Sequence, residues 1–502
     1  MKKNIYKVIC AVMLFAIVQP SCKKDFESLN TDPNTSPTTT PKQLLAPALV
    51  NILTTNMLRS RTYNNELMQV TVNQSDSEGQ VFRYDIKNTW GDYTWNNWYL
   101  QLTNFKSIYD IAGQPVTLSK GYQGIALICQ AWIYAMLTDT YGDVPYSESN
   151  KGREGNLQPK FDKQQDIYQG IFKQLEEANT LLNGATNVAS SSDPVFNGNT
   201  ALWRKFGNSL YLRLLLRISG KAEVAADCIA KIKDIVDNNP GTYPIMASNA
   251  ESAVLKWTGT GYLTSPFVSG VRAQDFTAPS LCSFFVDNLT KWADPRLYSN
   301  SWSIASYGGG YVGVPSGYAA GNAPVKKSYF YSNVVSASNP LAKSVMTEPL
   351  MGNIMNYAEL QFILAEAAAK GWISTPAKTY YDNGVINAIT FWLPNFTTPV
   401  ANYEATADIT WDDSLPLDDK MEMIHVQKYY TLFWTDFEQW FEYRRTGHPV
   451  LPKGAGLLNG GIMPARIVYP VYVQSANPTN YKAAIASQGP DLLNTQVWWQ
   501  KP

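Results

Sequence analysis

Apolar residues recur every three or four positions through most of the chain. Two sets show this spacing, one formed by Ile125, Ile128, Trp132 and Met136 and the other by Trp203, Phe206, Leu210, Leu214 and Ile218. Such spacing puts each set on one side of a helix, where it can be buried. The same pattern predicts further helices over residues 41–57, 97–112, 163–183, 222–238, 356–371, 376–392 and 419–445. The sequence therefore predicts a mostly α protein.

Charged residues occupy the helix predicted over 356–371. Glu359, Glu366 and Lys370 are expected on its outer face, in contact with solvent. Gly371 follows directly and is expected to end the helix, because glycine readily adopts the left-handed conformation found there.

Two further charged groups stand at predicted helix ends. Asp139 and Asp143 flank a turn, so we interpret them as capping residues and not as a catalytic pair. Glu442, Arg444 and Arg445 lie near the end of the last predicted helix, where cations suit the helix dipole. Both groups are expected to be structural.

The helical pattern stops over residues 240–350, which are rich in glycine, serine, tyrosine and proline. Irregular stretches of this length are uncommon in compact proteins and are often functional. Within it, Tyr307, Tyr311 and Tyr318 alternate with turn-forming residues. We therefore predict a loop-rich region that presents these three rings to solvent and to a ligand.

The N-terminus has the layout of a bacterial lipoprotein signal. Lys2 and Lys3 precede an apolar run, 8–18, and small Ser21 stands directly before Cys22. We predict a signal peptide over 1–21, lipid modification of Cys22, a polar tether over 22–40 and one domain over 41–502. The alternative is an ordinary thiol behind a non-lipoprotein signal. The apolar run is too short to span a bilayer, so acyl chains would provide the membrane anchor.

Charge and cysteine content exclude several classes of function. The chain has 41 basic and 41 acidic residues, so no net positive charge attracts a nucleic acid. Cys129, Cys228 and Cys282 are far apart in apolar surroundings, which indicates small buried side chains and not a disulfide framework or a zinc site.

Aromatic residues, in contrast, are abundant: they make up 13% of the chain, against 16% for charged residues. Flat rings that stack on sugars, with amide and hydroxyl partners, are typical of oligosaccharide sites. Three rings and an amide cluster at Trp90, Tyr93, Trp95 and Asn96, in a segment that the sequence predicts as a loop before a helix that begins near Asn97. We predict that this loop contacts the ligand.

The sequence offers little material for catalysis. Its only histidines are His425 and His448. Asp436, Glu438 and Glu442 lie within two turns of one helix, and carboxylates on one face cannot easily flank a glycosidic bond. Neither a phosphate-binding glycine loop nor metal-ligand spacing occurs. We therefore predict no catalytic residue, no metal and no cofactor.

Short motifs run in order along the chain: CKKDF (22–26), NTDPN (30–34), LLAPAL (44–49), LTDTYGDVPY (137–146), WRKFGNSL (203–210), DPRL (294–297), YAE (357–359), AEA (365–367), WFEYRRTGHP (440–449), PAR (464–466) and YP (469–470). Together they resemble the SusD/RagB family of nutrient-binding lipoproteins, in the SusD-like branch.

That resemblance implies one lobe of tetratricopeptide-like helix pairs packed beside a loop-rich region. It implies a non-enzymatic protein that binds an oligosaccharide at the cell surface and passes it to a SusC-like TonB-dependent transporter. Asp25 and Glu27, behind the anchor, resemble the signal that sends such lipoproteins to the outer face of the outer membrane. Three alternatives stay open: a peptide-binding member of the same family, a cell-surface glycoside hydrolase, and a protein-interaction scaffold.

Overall fold

The computed structural model of the protein describes residues 39–334 and 344–501. Cys22, the signal peptide and nearly all of the predicted tether lie outside the described residues. From Pro41 onward the chain forms a single compact unit.

Seven helices occupy the first half of this unit: α1 (Pro41–Ser60), α2 (Asn64–Leu67), α3 (Trp90–Ala112), α4 (Lys120–Tyr141), α5 (Gln164–Leu182), α6 (Thr200–Ile218) and α7 (Ala222–Lys233). Local capping sets several of their starts. The Ser119 side chain accepts the Tyr122 N–H before α4, and the Asn199 side chain accepts the Ala201 N–H before α6. A π-helical turn, Asp234–Asn238, continues α7.

Ten helices follow: α8 (Pro266–Gly270), α9 (Gln274–Thr277), α10 (Ser283–Lys291), α11 (Tyr357–Ala369), α12 (Ala377–Trp392), α13 (Val400–Ala407), α14 (Leu417–Thr431), α15 (Glu438–Thr446), α16 (Val471–Ala476) and α17 (Pro478–Gln488). Strands are few and short: β1 (Thr71–Val72), β2 (Ala253–Leu255), β3 (Ser280–Leu281) and β4 (Gly352–Met355). They pair antiparallel as β1 with β3 and β2 with β4.

Consecutive helices pack against each other along the chain. Helix α4 packs on α5, α5 on α6, α6 on α7, and α11 on α12. This tetratricopeptide-like arrangement confirms the predicted mostly α fold. Both apolar stripes of the sequence are buried in one continuous core. Within the described residues, no helix has the length and apolar character needed to cross a membrane.

Two predicted helix boundaries are wrong. The helix predicted over 97–112 begins at Trp90, and the one predicted over 419–445 is two helices, α14 and α15. The chain turns sharply between them, because Trp434 and Asp436 adopt positive φ angles of 62° and 44°. Most of this connection is buried, so its apolar pattern could not be distinguished from a continuous helix.

The described part of the loop-rich region predicted over 240–350 contains only short elements, yet it contributes to the core. Trp257, Phe267 and Trp302 are buried there, and Trp302 packs 4.6 Å from the Phe433 ring. Many of its aromatic rings therefore serve packing.

A buried ion network connects the helices. Arg217 of α6 lies 2.8 Å from Asp139, 2.5 Å from Glu438 and 3.1 Å from Glu442. One turn earlier, Arg213 binds Glu359 through two hydrogen bonds of 2.6 Å. All six side chains are almost fully shielded from solvent.

The network extends into α11, α14 and α15. Glu366 accepts hydrogen bonds from Arg445 and Lys370, and Glu442 pairs with Lys428. The expectation that Glu359 and Glu366 face solvent is therefore wrong. Burial alone would raise the pKa of Glu366, but Arg445, Lys370 and His425 together hold that pKa well below its usual range.

We expect Arg217→Met to lower the free energy of unfolding by about 3–5 kcal/mol, because it leaves three buried carboxylates without their shared cation. Urea unfolding followed by circular dichroism measures this change. Arg272→Met is the matched control, since the Arg272 side chain is 73% exposed and pairs only with Asp275. The control should change stability by less than about 1 kcal/mol. A loss of similar size in both variants would contradict the role of the network.

Glu66 predicts a pH dependence of stability. Burial raises the pKa of this α2 carboxyl to about 8. In the unfolded chain a glutamate has a pKa of about 4.3. Between about pH 4.3 and about pH 8, the unfolded state loses this proton more readily than the folded state, so deprotonation favours unfolding. The free energy of unfolding should therefore fall as the pH rises through this window.

We expect Glu66→Gln to remove this contribution, since an amide can still accept the Phe82 N–H but carries no titratable proton. The variant should become more stable than the unmodified protein as the pH rises from 5 to 8, by about 2–4 kcal/mol at the upper end. Glu78→Gln, at an exposed glutamate, is the control. A Glu66→Gln difference that is constant with pH would contradict a protonated carboxyl.

Candidate functional site

The residues predicted to form a ligand-binding loop lie in a helix. Trp90, Tyr93, Trp95 and Asn96 occupy the first two turns of α3, so the loop prediction is wrong. Gly91 suggested a loop to the sequence analysis, but a Cβ atom at this position would lie 3.0 Å from the Ile467 side chain. Close packing in the helix therefore explains this glycine.

Helical geometry sends these four side chains in different directions. Trp95 is buried, with its ring 5.0 Å from Tyr141 and 5.8 Å from Tyr469 in edge-on contacts. Trp90 and Tyr93 are partly exposed on another face, and Asn96 is exposed between the two.

Trp95 also lines a cavity of about 250 Å³. We call this cavity the aromatic cleft; the residues that matter for its chemistry are Trp95, Tyr99, Asn150, Phe161, Tyr472 and Asn477. They come from α3, two irregular segments and α16 with the residue that follows it. Ligand sites of small molecules commonly have about 300–1,000 Å³, so the cleft suits one part of a larger ligand.

Hydrogen bonds fix the walls of the aromatic cleft. The Tyr99 hydroxyl donates to the Pro145 carbonyl at 2.8 Å, and the Asn477 amide donates to the Pro159 carbonyl at 2.7 Å. At the rim, the Tyr472 hydroxyl donates to the Asn96 side chain. These bonds hold the rings in place before a ligand arrives.

The side-chain amide of Asn150, a residue that lines the cleft, is only partly hydrogen-bonded within the described part of the chain. Its amide nitrogen donates to the Tyr99 carbonyl at 2.7 Å and to the Thr103 hydroxyl at 2.8 Å. Its carbonyl oxygen is buried and has no hydrogen-bond partner in the described part of the chain. An unpaired buried acceptor is costly, so the fold leaves one polar atom unsatisfied beside the cleft.

The second predicted ligand region does not form one site. Tyr318 is buried and its ring lies 5.0 Å from Phe82, so its expected exposure is wrong. Tyr307 is exposed at a tight turn, and Tyr311 is partly buried. The Tyr311 ring lies edge-on to Tyr298, at 5.3 Å. The structure brings none of these three rings to the aromatic cleft.

Sequence reasoning missed Asn150, Phe161, Tyr472 and Asn477. They are far apart along the chain, and only the fold brings them beside α3. Tyr472 did carry a weak signal, because it follows the YP motif at 469–470 that contributed to the family resemblance.

The acidic residues considered for catalysis are occupied elsewhere. Glu438 and Glu442 pair with Arg217 in the buried network. Asp436 accepts hydrogen bonds from Asn56 at 2.7 Å and Trp132 at 2.8 Å. None of these carboxylates lines the aromatic cleft. Asp143 does act as a cap, since it accepts the Gln164 N–H at the start of α5.

Among the residues that the structure describes, one buried group has donor atoms close enough for a metal ion: Glu366, His425 and Glu442. Basic side chains already neutralise these carboxylates, because Arg445 contacts both of them and Lys370 and Lys428 contact one each. This arrangement does not fit a cation site, and it belongs to the ion network.

Helix pairs with an open aromatic cleft define a binding protein of the tetratricopeptide-like class. A family model described as "Starch-binding associating with outer membrane" matches residues 33–470, and the chain therefore belongs to the SusD-like family. A search of curated proteins found no match.

Solved structures agree with this assignment. A SusD homologue from Bacteroides fragilis is 27% identical, with a TM-score of 0.74 over 92% of this chain and 100% of that one. A chitin-binding protein is 26% identical, with the same TM-score and coverage. A chitin-binding SusD homologue from Flavobacterium johnsoniae, 21% identical, has a TM-score of 0.76 over 92% of this chain and 98% of that one, which shows the shared fold.

Proposed function

We propose that the protein is a surface-exposed lipoprotein of the outer membrane that binds an oligosaccharide and delivers it to a SusC-like TonB-dependent transporter. Cys22 would carry the lipid anchor, and the aromatic cleft would hold part of the glycan. The protein would not cleave its ligand.

The aromatic lining of the cleft carries this proposal. Trp95, Tyr99 and Tyr472 provide rings that can contact the CH groups of a sugar, and Asn150 and Asn477 add amide groups to the lining. A 26% identical relative described as chitin-binding supports a glycan as the ligand.

Binding without hydrolysis fits the distribution of carboxylates. A glycosidase needs two carboxyl groups on opposite sides of the bond that it cleaves. The residues that we placed around the aromatic cleft are aromatic or carry amides. Glu438 and Glu442 are paired with basic side chains, and Asp436 is hydrogen-bonded to Asn56 and Trp132.

We expect Tyr472→Ala to weaken glycan binding by about 1–3 kcal/mol, because it removes an exposed ring from the rim of the cleft. Since Tyr472 is 42% exposed, its loss should leave the fold intact. Affinity electrophoresis against a panel of soluble polysaccharides measures binding, and a reducing-sugar assay on the same mixtures detects cleavage. Tyr262→Ala, at a 59% exposed ring outside the cleft, is the matched control.

Retention by one glycan without cleavage, weakened by Tyr472→Ala alone, would support the proposal. Equal retention of the Tyr472→Ala and Tyr262→Ala variants would show that the glycan binds outside the aromatic cleft. New reducing ends would favour the hydrolase alternative, and silence across the panel with binding of peptides would favour the peptide-binding alternative.

A further inference from the structure

Arg59 lies between two partly exposed aromatic side chains of α3. Its guanidinium carbon is 4.3 Å from the centre of the Tyr93 ring and 5.4 Å from that of Trp90. We call these three residues the arginine platform. Arg59 stands one residue before the end of α1, so the platform joins two helices at the surface.

No acceptor or carboxylate of the described residues forms a hydrogen bond or ion pair with this guanidinium, and its buried Nε atom is unpaired. Burial lowers the pKa of Arg59, and only tyrosines oppose the effect. Arg59 nevertheless stays a cation at neutral pH, since an arginine does not lose its proton in proteins.

Three arginines of the helical core differ from Arg59. Arg213, Arg217 and Arg445 each contact two or three carboxylates. Arg59 is held in place by aromatic rings and pairs with no carboxylate of the described residues. Its guanidinium can therefore donate hydrogen bonds to a ligand.

The platform offers two kinds of contact at once. The planar fork of an arginine matches a carboxylate through paired hydrogen bonds. The Tyr93 hydroxyl and the Trp90 indole N–H make no hydrogen bond to described residues, so both can contact a ligand. A uronic acid can make both kinds of contact, because it carries a carboxylate for the arginine on a sugar ring whose flat CH face can lie against an aromatic ring.

We propose that the arginine platform binds a uronic-acid unit of an acidic oligosaccharide. This inference rests on the proposed function, since it specifies the glycan that the protein takes. Trp90 and Asn96 are six residues apart, or about 9 Å along α3. Asn96 reaches the rim of the aromatic cleft through Tyr472, so one oligosaccharide can contact both surfaces.

The test compares acidic polysaccharides with their carboxyl-reduced forms, in which each carboxylate is an alcohol on an unchanged backbone. Suitable probes are polygalacturonate, alginate, glucuronoxylan and hyaluronan. Purified full-length protein in detergent is measured by affinity electrophoresis and isothermal titration. We expect at least one acidic form to bind about tenfold or more tightly than its reduced form, and more weakly as salt is added.

Variants of Arg59 assign this preference to the platform. Arg59→Gln should abolish the difference between acidic and reduced forms and leave binding of the reduced form unchanged. Arg59→Lys should restore part of it, because lysine keeps the charge but not the fork. Arg272→Gln, which removes an exposed charge that is paired with Asp275, should have no effect. Urea unfolding of each variant checks the fold.

Several outcomes would overturn the inference. Binding of neutral glycans alone, unaffected by Arg59→Gln, would overturn it and leave the proposed function in place. Equal losses in Arg59→Gln and Arg272→Gln would show a nonspecific charge effect. Binding of acidic peptides in place of every glycan would overturn both the inference and the proposed function.

Discussion

The ion network around Arg217 is the constraint on which the rest of the structure depends. A cation in the core must be paired, and Arg217 meets this need with carboxylates from α4 and α15. Its position on α6 thus fixes three helices relative to one another. Apolar packing alone would allow these helices to slide, whereas paired charges are satisfied in one register only.

The same constraint reaches the aromatic cleft. Arg444, in the last turns of α15, donates to the carbonyls of Asp139 and Ala465, which ties the segment after α15 to the end of α4. Two residues on, the Ile467 N–H donates to the Thr140 carbonyl at 2.9 Å. Tyr469 is thereby placed against Trp95, and α16 then begins beside the cleft. The walls of the cleft are thus connected, through these contacts, to the buried ion pairs.

Periodicity predicted nearly all of the longer helices, because a buried stripe is a local property of the sequence. It failed where the answer depends on a distant residue. Glu359 and Glu366 were expected in solvent, since no local pattern shows that Arg213 and Arg445 meet them in the core. Within the candidate site, the aromatic cluster at the start of α3 was found, but the residues that complete the cleft were not. Gly91 indicated a loop because its packing partner is 376 positions away.

The abundance of aromatic residues therefore indicates an oligosaccharide-binding class of protein but does not show which residues form the binding site. Trp90 and Trp95 are five residues apart on one helix, yet one contacts solvent beside Arg59 and the other packs in the core. Charge pairing discriminates better, because a buried charge must be satisfied by the fold. Arg217 with three carboxylates is structural, whereas Arg59, which pairs with no carboxylate of the described residues, is where we propose that a ligand binds.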